Sequence, residues 1–186
     1  MFAFKGLAAS ILVTLALAGC SGSPPANYFE TKGLKAPTNA CLVDPRSLGQ
    51  MRAMPDIDEG NGCEVHHRYE VQSLAGVEFS QTATMNCGLV APLNDWLDNT
   101  VQNSATRTFG ERVVSIDVAA SYSCRPRNNV RGARMSEHGY GNAIDIAAFT
   151  LESGRKVSVL EDWNGRADSE KFLRQVRGEA CGEFMT

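Results

Sequence analysis

Only three histidines occur in this 186-residue chain, and one, His138, lies in a stretch with the makings of a site, "SEHGYGNAIDI". Imidazole and carboxylate groups are the ligands that hold a divalent cation at a catalytic centre, with at least one position left to water. His138 falls in a glycine-rich turn, and Asp145, seven residues on, falls in an apolar run that reads as a strand. Part turn and part strand, this spacing lets the chain fold back so that both side chains reach one ion. Gly141 would supply the tight turn or a close backbone approach, and Ala143 leaves room beside the ion. The same pair also reads as a loop histidine and a strand carboxylate matched with a nearby arginine. His66 and His67 are adjacent, so in a strand they point to opposite faces and at most one could join the site. Surface or capping roles suit them better.

The elements that must position these residues follow from periodicity. "HRYEVQSL" alternates around Tyr69, Val71 and Ser73, and "GVEFS" follows after a glycine, which predicts a short β meander. Leu89, Leu93, Trp96, Leu97 and Val101 recur at helical intervals and Gly110 ends the run, so an amphipathic helix spans 87–109 with Trp96 in the core. "RVVSIDVAASYS" places Val114, Ile116, Val118 and Ala120 on one face of a strand. An arginine-rich loop, "RPRNNVRGARM", comes next. "NAIDIAAFTL" and "RKVSVL" form a hairpin through "ESG". A second helix starts near Asp168 with Phe172, Leu173 and Val176 facing inward. Strands and helices without βαβ alternation give the α+β class with a mainly antiparallel sheet.

The N-terminus calls for separate treatment. Lys5 precedes "GLAASILVTLALAG", an apolar run short for a membrane span, and Cys20 stands immediately after it. "LAGC" resembles the lipobox of bacterial lipoproteins, which implies a signal peptide over 1–19 and a membrane anchor through lipidated Cys20. Ser21 in the next position is similar to lipoproteins sorted to the outer rather than the inner membrane. Residues 20–40, rich in Ser, Gly, Pro and Asn, read as a flexible tether, and a single domain fills 41–186. Loss of Lys5 with the leader takes the formal charge from −3 to −4, which gives no electrostatic reason to expect nucleic acid as a partner. Cys41, Cys63, Cys87, Cys124 and Cys181 then remain as disulfide candidates in an exported protein. Five is odd, so either one thiol is free or its partner lies outside the sequence.

S-x-H-x-x-G-x-A-x-D, filled by Ser136, His138, Gly141, Ala143 and Asp145, resembles the signature of the LAS metallopeptidases. These include D-Ala-D-Ala carboxypeptidases and peptidoglycan endopeptidases, and they share a fold with the hedgehog signalling domain. "SYSCRPRN" resembles the Ser-Gly-Tyr-Arg stretch of the carboxypeptidases, with Arg125 where their substrate-binding arginine stands. Within that group the chain looks closest to the bacterial extensin-like C-terminal domain family, through "LAGVEFS", "NCGLVAPLNDWL", "SYSCR", "SEHGYGNAIDI" and "EDW". The resemblance implies a hedgehog/DD-peptidase-like fold and a periplasmic zinc hydrolase of peptidoglycan stem peptides. His138 and Asp145 would be two of three zinc ligands, and Arg125 would steady the oxyanion at the scissile carbonyl. The alternative for Arg125 is a solvated loop charge or a salt bridge.

The pattern departs from the group at one place. LAS enzymes take a third ligand from a later His-x-His or Glu-x-x-His, and no histidine follows His138 here. The resemblance therefore implies a domain shortened at its C-terminus, lacking its final strand and binding zinc weakly or not at all. Two function classes stay open: a zinc-dependent wall peptidase whose third ligand comes from elsewhere, and a non-catalytic peptidoglycan-binding or structural lipoprotein of the envelope.

Overall fold

The computed structural model describes residues 47–184. The signal peptide, Cys20, the tether and Cys41 lie outside the described residues. Six strands form the main sheet in the order β1-β4-β5-β6-β7-β8: β1 (Met51–Ala53), β4 (Arg68–Leu74), β5 (Val77–Asn86), β6 (Val113–Ala120), β7 (Asp145–Leu151) and β8 (Lys156–Ser158). A separate two-stranded sheet pairs β2 (Ile57–Asp58) with β3 (Glu64–Val65).

The β4–β5 hairpin closes through Ala75 and Gly76, both at positive φ (49° and 73°), the twist that a two-residue hairpin turn needs. The helical run after β5 has three parts: α1 (Cys87–Asp95), a π-helical stretch (Trp96–Val101) and α2 (Gln102–Phe109). Asn86 caps its start, its side chain accepting the Leu89 N–H, and Gly110 ends it in the left-handed region. Leu89, Leu93, Trp96, Leu97 and Val101 are all buried, as their spacing predicts. Trp96 is a core residue: its indole N–H donates to the Val176 carbonyl and its ring meets Phe149 and Phe184. Short α3 (Val159–Asp162) and long α4 (Ala167–Phe184) complete the fold, and Phe172, Leu173 and Val176 of α4 are each at most 3% exposed.

The sheet is mostly antiparallel, as expected, and three details depart from expectation. β5 and β6 are parallel, joined by the helical crossover, so the sheet is mixed and contains one β-helix-β unit. Short-range alternation cannot distinguish a hairpin partner from a crossover partner, since either buries one face. On β6, Val114 is exposed and Val113 buried, opposite to the predicted face. The pairing with β7 slips between Val113 and Ser115, and a slip of one residue turns the side chain over. Ile116 and Val118 keep their predicted inward direction. The last predicted strand also stops early, at Ser158, whose hydroxyl accepts the Glu161 N–H and turns the chain into α3.

β5 and β6 share ladder positions only at Glu78–Ser115 and Phe79–Ile116. Beyond these the strands part, and side chains take over the pairing. The Val118 N–H donates to Ser80 Oγ, Gln81 Nε2 donates to the Val118 carbonyl, and the Thr84 N–H donates to Ser121 Oγ. The carboxyl ends of two parallel strands thus form a fork, the kind of crevice where open sheets accept ligands.

Candidate functional site

The SEHGYGNAID segment wedges into this fork. Ser136 sits in extended conformation before a single 3-10 turn, Glu137–Tyr140. The turn is clamped on both sides. From the β5 side, the Asn86 N–H donates to the Gly141 carbonyl at 2.8 Å and Asn86 Nδ2 donates to the Tyr140 carbonyl at 2.9 Å. From the β6 side, the Ser123 N–H donates to the His138 carbonyl. Gly141 serves both purposes open to it. Its φ is +62°, and a Cβ there would lie 2.8 Å from Val65 Cγ1 and 2.9 Å from the Asn86 nitrogen.

His138 and Asp145 meet. The imidazole is buried, its side chain 10% exposed, while the Asp145 carboxylate, 56% exposed, stands at the rim as the first residue of β7. His138 Nε2 lies 3.4 Å from Asp145 Oδ2. The other ring nitrogen, Nδ1, is hydrogen-bonded to the Ser121 carbonyl. A carbonyl only accepts, so Nδ1 carries the proton and donates it. In the neutral ring Nε2 is then a lone pair aimed at a carboxylate oxygen. Two such acceptors face each other stably with a shared hydrogen-bond donor or a cation between them. A tetrahedral zinc ion with ligands at about 2.1 Å would hold its donors about 3.4 Å apart, which matches the observed gap. A carbonyl on Nδ1 fixes the tautomer and the orientation of the ring, as such partners do for metal-ligating histidines in general.

A complete metal site is not present among the described residues, where no three or more His, Cys, Asp or Glu side chains are grouped to hold an ion. The residues fit two positions of a zinc centre and no more, so zinc is not supported as a resident cofactor. His66 does not fill the gap. Its Nδ1 pairs with Asp56 and its Nε2 with Glu64, which raises its pKa above the ordinary histidine value. His67 contributes backbone: its N–H donates to Asp56 Oδ1 and its carbonyl accepts from Cys87.

Arg125 is half-buried beside this wedge, and its carbonyl accepts the Ser136 N–H at 3.0 Å. Among the described residues its guanidinium has no hydrogen-bond or ion-pair partner, so its five donors are available to a ligand. Its position is fixed from behind by the Cys63–Cys124 disulfide, which ties the residue before it to the β2–β3 flap. The flap presses on the histidine turn as well. A Cβ on Gly139 would be 3.0 Å from Cys63 Sγ, and the Met135 thioether lies 3.3 Å from that sulfur. Tyr122 adds a third tie, donating to Glu59 Oε1 at 2.6 Å. Burial, and then that bond, push the Tyr122 phenol up to about 12, so it stays a protonated donor at neutral pH. Cys87 and Cys181 are disulfide-bonded too, and none of the described cysteines is a free thiol. Ala143 is half-buried in the link between Gly141 and β7.

Asn86, Ser121, Glu59 and Met135 position the site, yet none stood out in the sequence. Asn86 alone had a legible signal, an N-cap residue directly before an apolar helical run.

What these features define is an α+β domain that presents a histidine and an aspartate across a glycine turn in a strand fork. The chain belongs to the extensin-like C-terminal domain family: residues 39–186 match the family described as Extensin-like protein C-terminus. No curated protein and no solved structure matches the chain.

Proposed function

We propose that this protein is a periplasmic, envelope-anchored lipoprotein that engages peptidoglycan stem peptides at a site of LAS metallopeptidase type. It would be held to the membrane by lipid on Cys20, outer rather than inner. The observation that carries this reading is the 3.4 Å separation of His138 Nε2 and Asp145 Oδ2, with Nδ1 locked on the Ser121 carbonyl, inside S-x-H-x-x-G-x-A-x-D. The hedgehog/DD-peptidase-like fold implied by that motif is part of the same proposal.

The chain's own residues account for recognition. The Arg125 fork suits a peptide carbonyl or a terminal carboxylate, which it would take in two parallel hydrogen bonds. The His138–Asp145 pair offers a cation-seeking lone pair and a rim carboxylate beside it, suited to a peptide N–H or ammonium group. Because only two protein ligands are grouped among the described residues, the binding reading is favoured over hydrolysis. Hydrolysis is the second reading, supported by the tetrahedral fit of the two donors.

Purified protein incubated with sacculi, with and without added zinc, distinguishes them. Sedimentation with sacculi and no new amino termini is the expected result, and His138→Ala should weaken it. Zinc-dependent release of muropeptides would establish the hydrolase. Protein that neither sediments nor cuts would sink both readings.

A further inference from the structure

Between Asp117 and Glu137 the chain carries no acidic residue, yet it carries four arginines: Arg125, Arg127, Arg131 and Arg134. In a protein of net charge −3 this is a concentrated patch of the opposite sign. Not one of the four is a lysine, so each cation is a planar fork of donors. Arg127 is matched by Glu137 at 3.1 Å. Arg131 and Arg134 are exposed, and among the described residues neither has a hydrogen-bond or ion-pair partner through its side chain.

The loop that carries them is built as an arm. Its two limbs are joined by a β-bridge between Pro126 and Met135 and by the Arg127 N–H donating to the Arg134 carbonyl at 2.8 Å. Two further bonds, from Val130 to Arg127 and from Ala133 to Val130, shape its tip. Its base is the bond between Ser136 and Arg125, so the arm leaves and rejoins the chain two residues before His138. Unpaired guanidinium groups on a braced arm whose base adjoins the histidine turn raise the local concentration of anions around it.

We propose that Arg131 and Arg134 form a carboxylate-reading arm, which grips the acidic groups of an extended peptide while the peptide lies at the His138–Asp145 site. This rests on the function proposed above and adds the ligand class: a peptide with free carboxylates beyond the one that Arg125 would take. A carboxylate peptide is favoured over a lipid phosphate because the arm springs from the site itself.

The test uses the full-length protein in detergent and an Arg131→Gln/Arg134→Gln double variant, whose changes fall on exposed, unpartnered side chains. Binding to sacculi is measured beside sacculi whose carboxyl groups have been amidated. The double variant should bind native sacculi about tenfold more weakly, the loss expected for two charge-assisted contacts at a wet surface. Amidation should weaken wild-type binding by more than it weakens the variant, which keeps only the Arg125 contact to lose. Equal binding by variant and wild type, or wild-type binding that ignores amidation, overturns the arm. A variant deficient on phosphatidylglycerol vesicles but normal on sacculi overturns it in favour of a lipid surface. Wild-type protein that ignores sacculi altogether removes the proposed function and this inference with it.

Discussion

Gly141→Ala is the substitution by which the wedge can be measured. The left-handed backbone costs an alanine about 1 kcal/mol or somewhat more. That term is shared by Gly154→Ala, because Gly154 has φ +83° with open space where a Cβ would go. At Gly141 the new methyl would also meet Val65 Cγ1 at 2.8 Å, the Asn86 nitrogen at 2.9 Å and the Met85 carbonyl carbon at 3.3 Å. Two of these are backbone atoms of β5, so the clash is not relieved by a rotamer change, and overpacking adds about 1–3 kcal/mol. Gly141→Ala should therefore lose about 3 kcal/mol against about 1 kcal/mol for Gly154→Ala. Urea titration of both variants and wild type, fitted with a common slope, reads the difference as a shift in midpoint. The variant should also weaken sacculus binding, since relief of the clash moves the turn that carries His138. If the two glycine variants lose the same stability, the turn does not press on β5 and the account of the fork is wrong.

Two other expectations concern the flap that braces the site. Replacing Cys63 and Cys124 together by alanine opens a loop of sequence separation 61, and loop-closure entropy puts the loss at about 4 kcal/mol; a calorimetric change below about 1 kcal/mol would show that the bridge does not restrain the unfolded chain. His66 should titrate above 6.5 by NMR, held up first by its hydrogen bond to Asp56 and then by Glu64, and Asp56→Asn should bring it down. Because the folded value is the raised one, its stabilising effect is complete below about pH 6.5 and fades as pH rises through the folded pKa. An unchanged His66 titration in Asp56→Asn would remove Asp56 as the cause.

The parts of the molecule that could be read in advance are those whose signals are local. The helical run declared itself because Leu89, Leu93, Trp96, Leu97 and Val101 follow one face and Gly110 closes it. The His138–Asp145 convergence was legible for the same reason: turn and strand are contiguous, and the glycine between them fixes the fold-back. What brings the pair into a site is contributed from far along the chain. Ser121 holds the imidazole from 17 residues away and Asn86 holds Tyr140 from 54. Composition says nothing about such reach. The parallel pairing of β5 with β6 was hidden because alternation reports which face is buried, not which neighbour lies alongside. The inversion at Val113 and Val114 was hidden because a register slip is a property of two strands together. The cysteines could be counted, but the Cys63–Cys124 pairing depends on where the β2–β3 flap folds.

That pairing gives the site a history. The sulfur bridge lies directly beneath the histidine turn and directly before Arg125, so the turn and the Arg125 segment share one covalent brace. Before oxidation the flap's ties to them, among the described residues, are the Tyr122–Glu59 hydrogen bond, the Asn61–Cys124 contact and van der Waals packing. A newly made chain in a reducing compartment therefore carries both segments without the fastening that aligns them. The alignment of the histidine turn with Arg125 would thus be completed by the departure of two electrons, when the bridge closes.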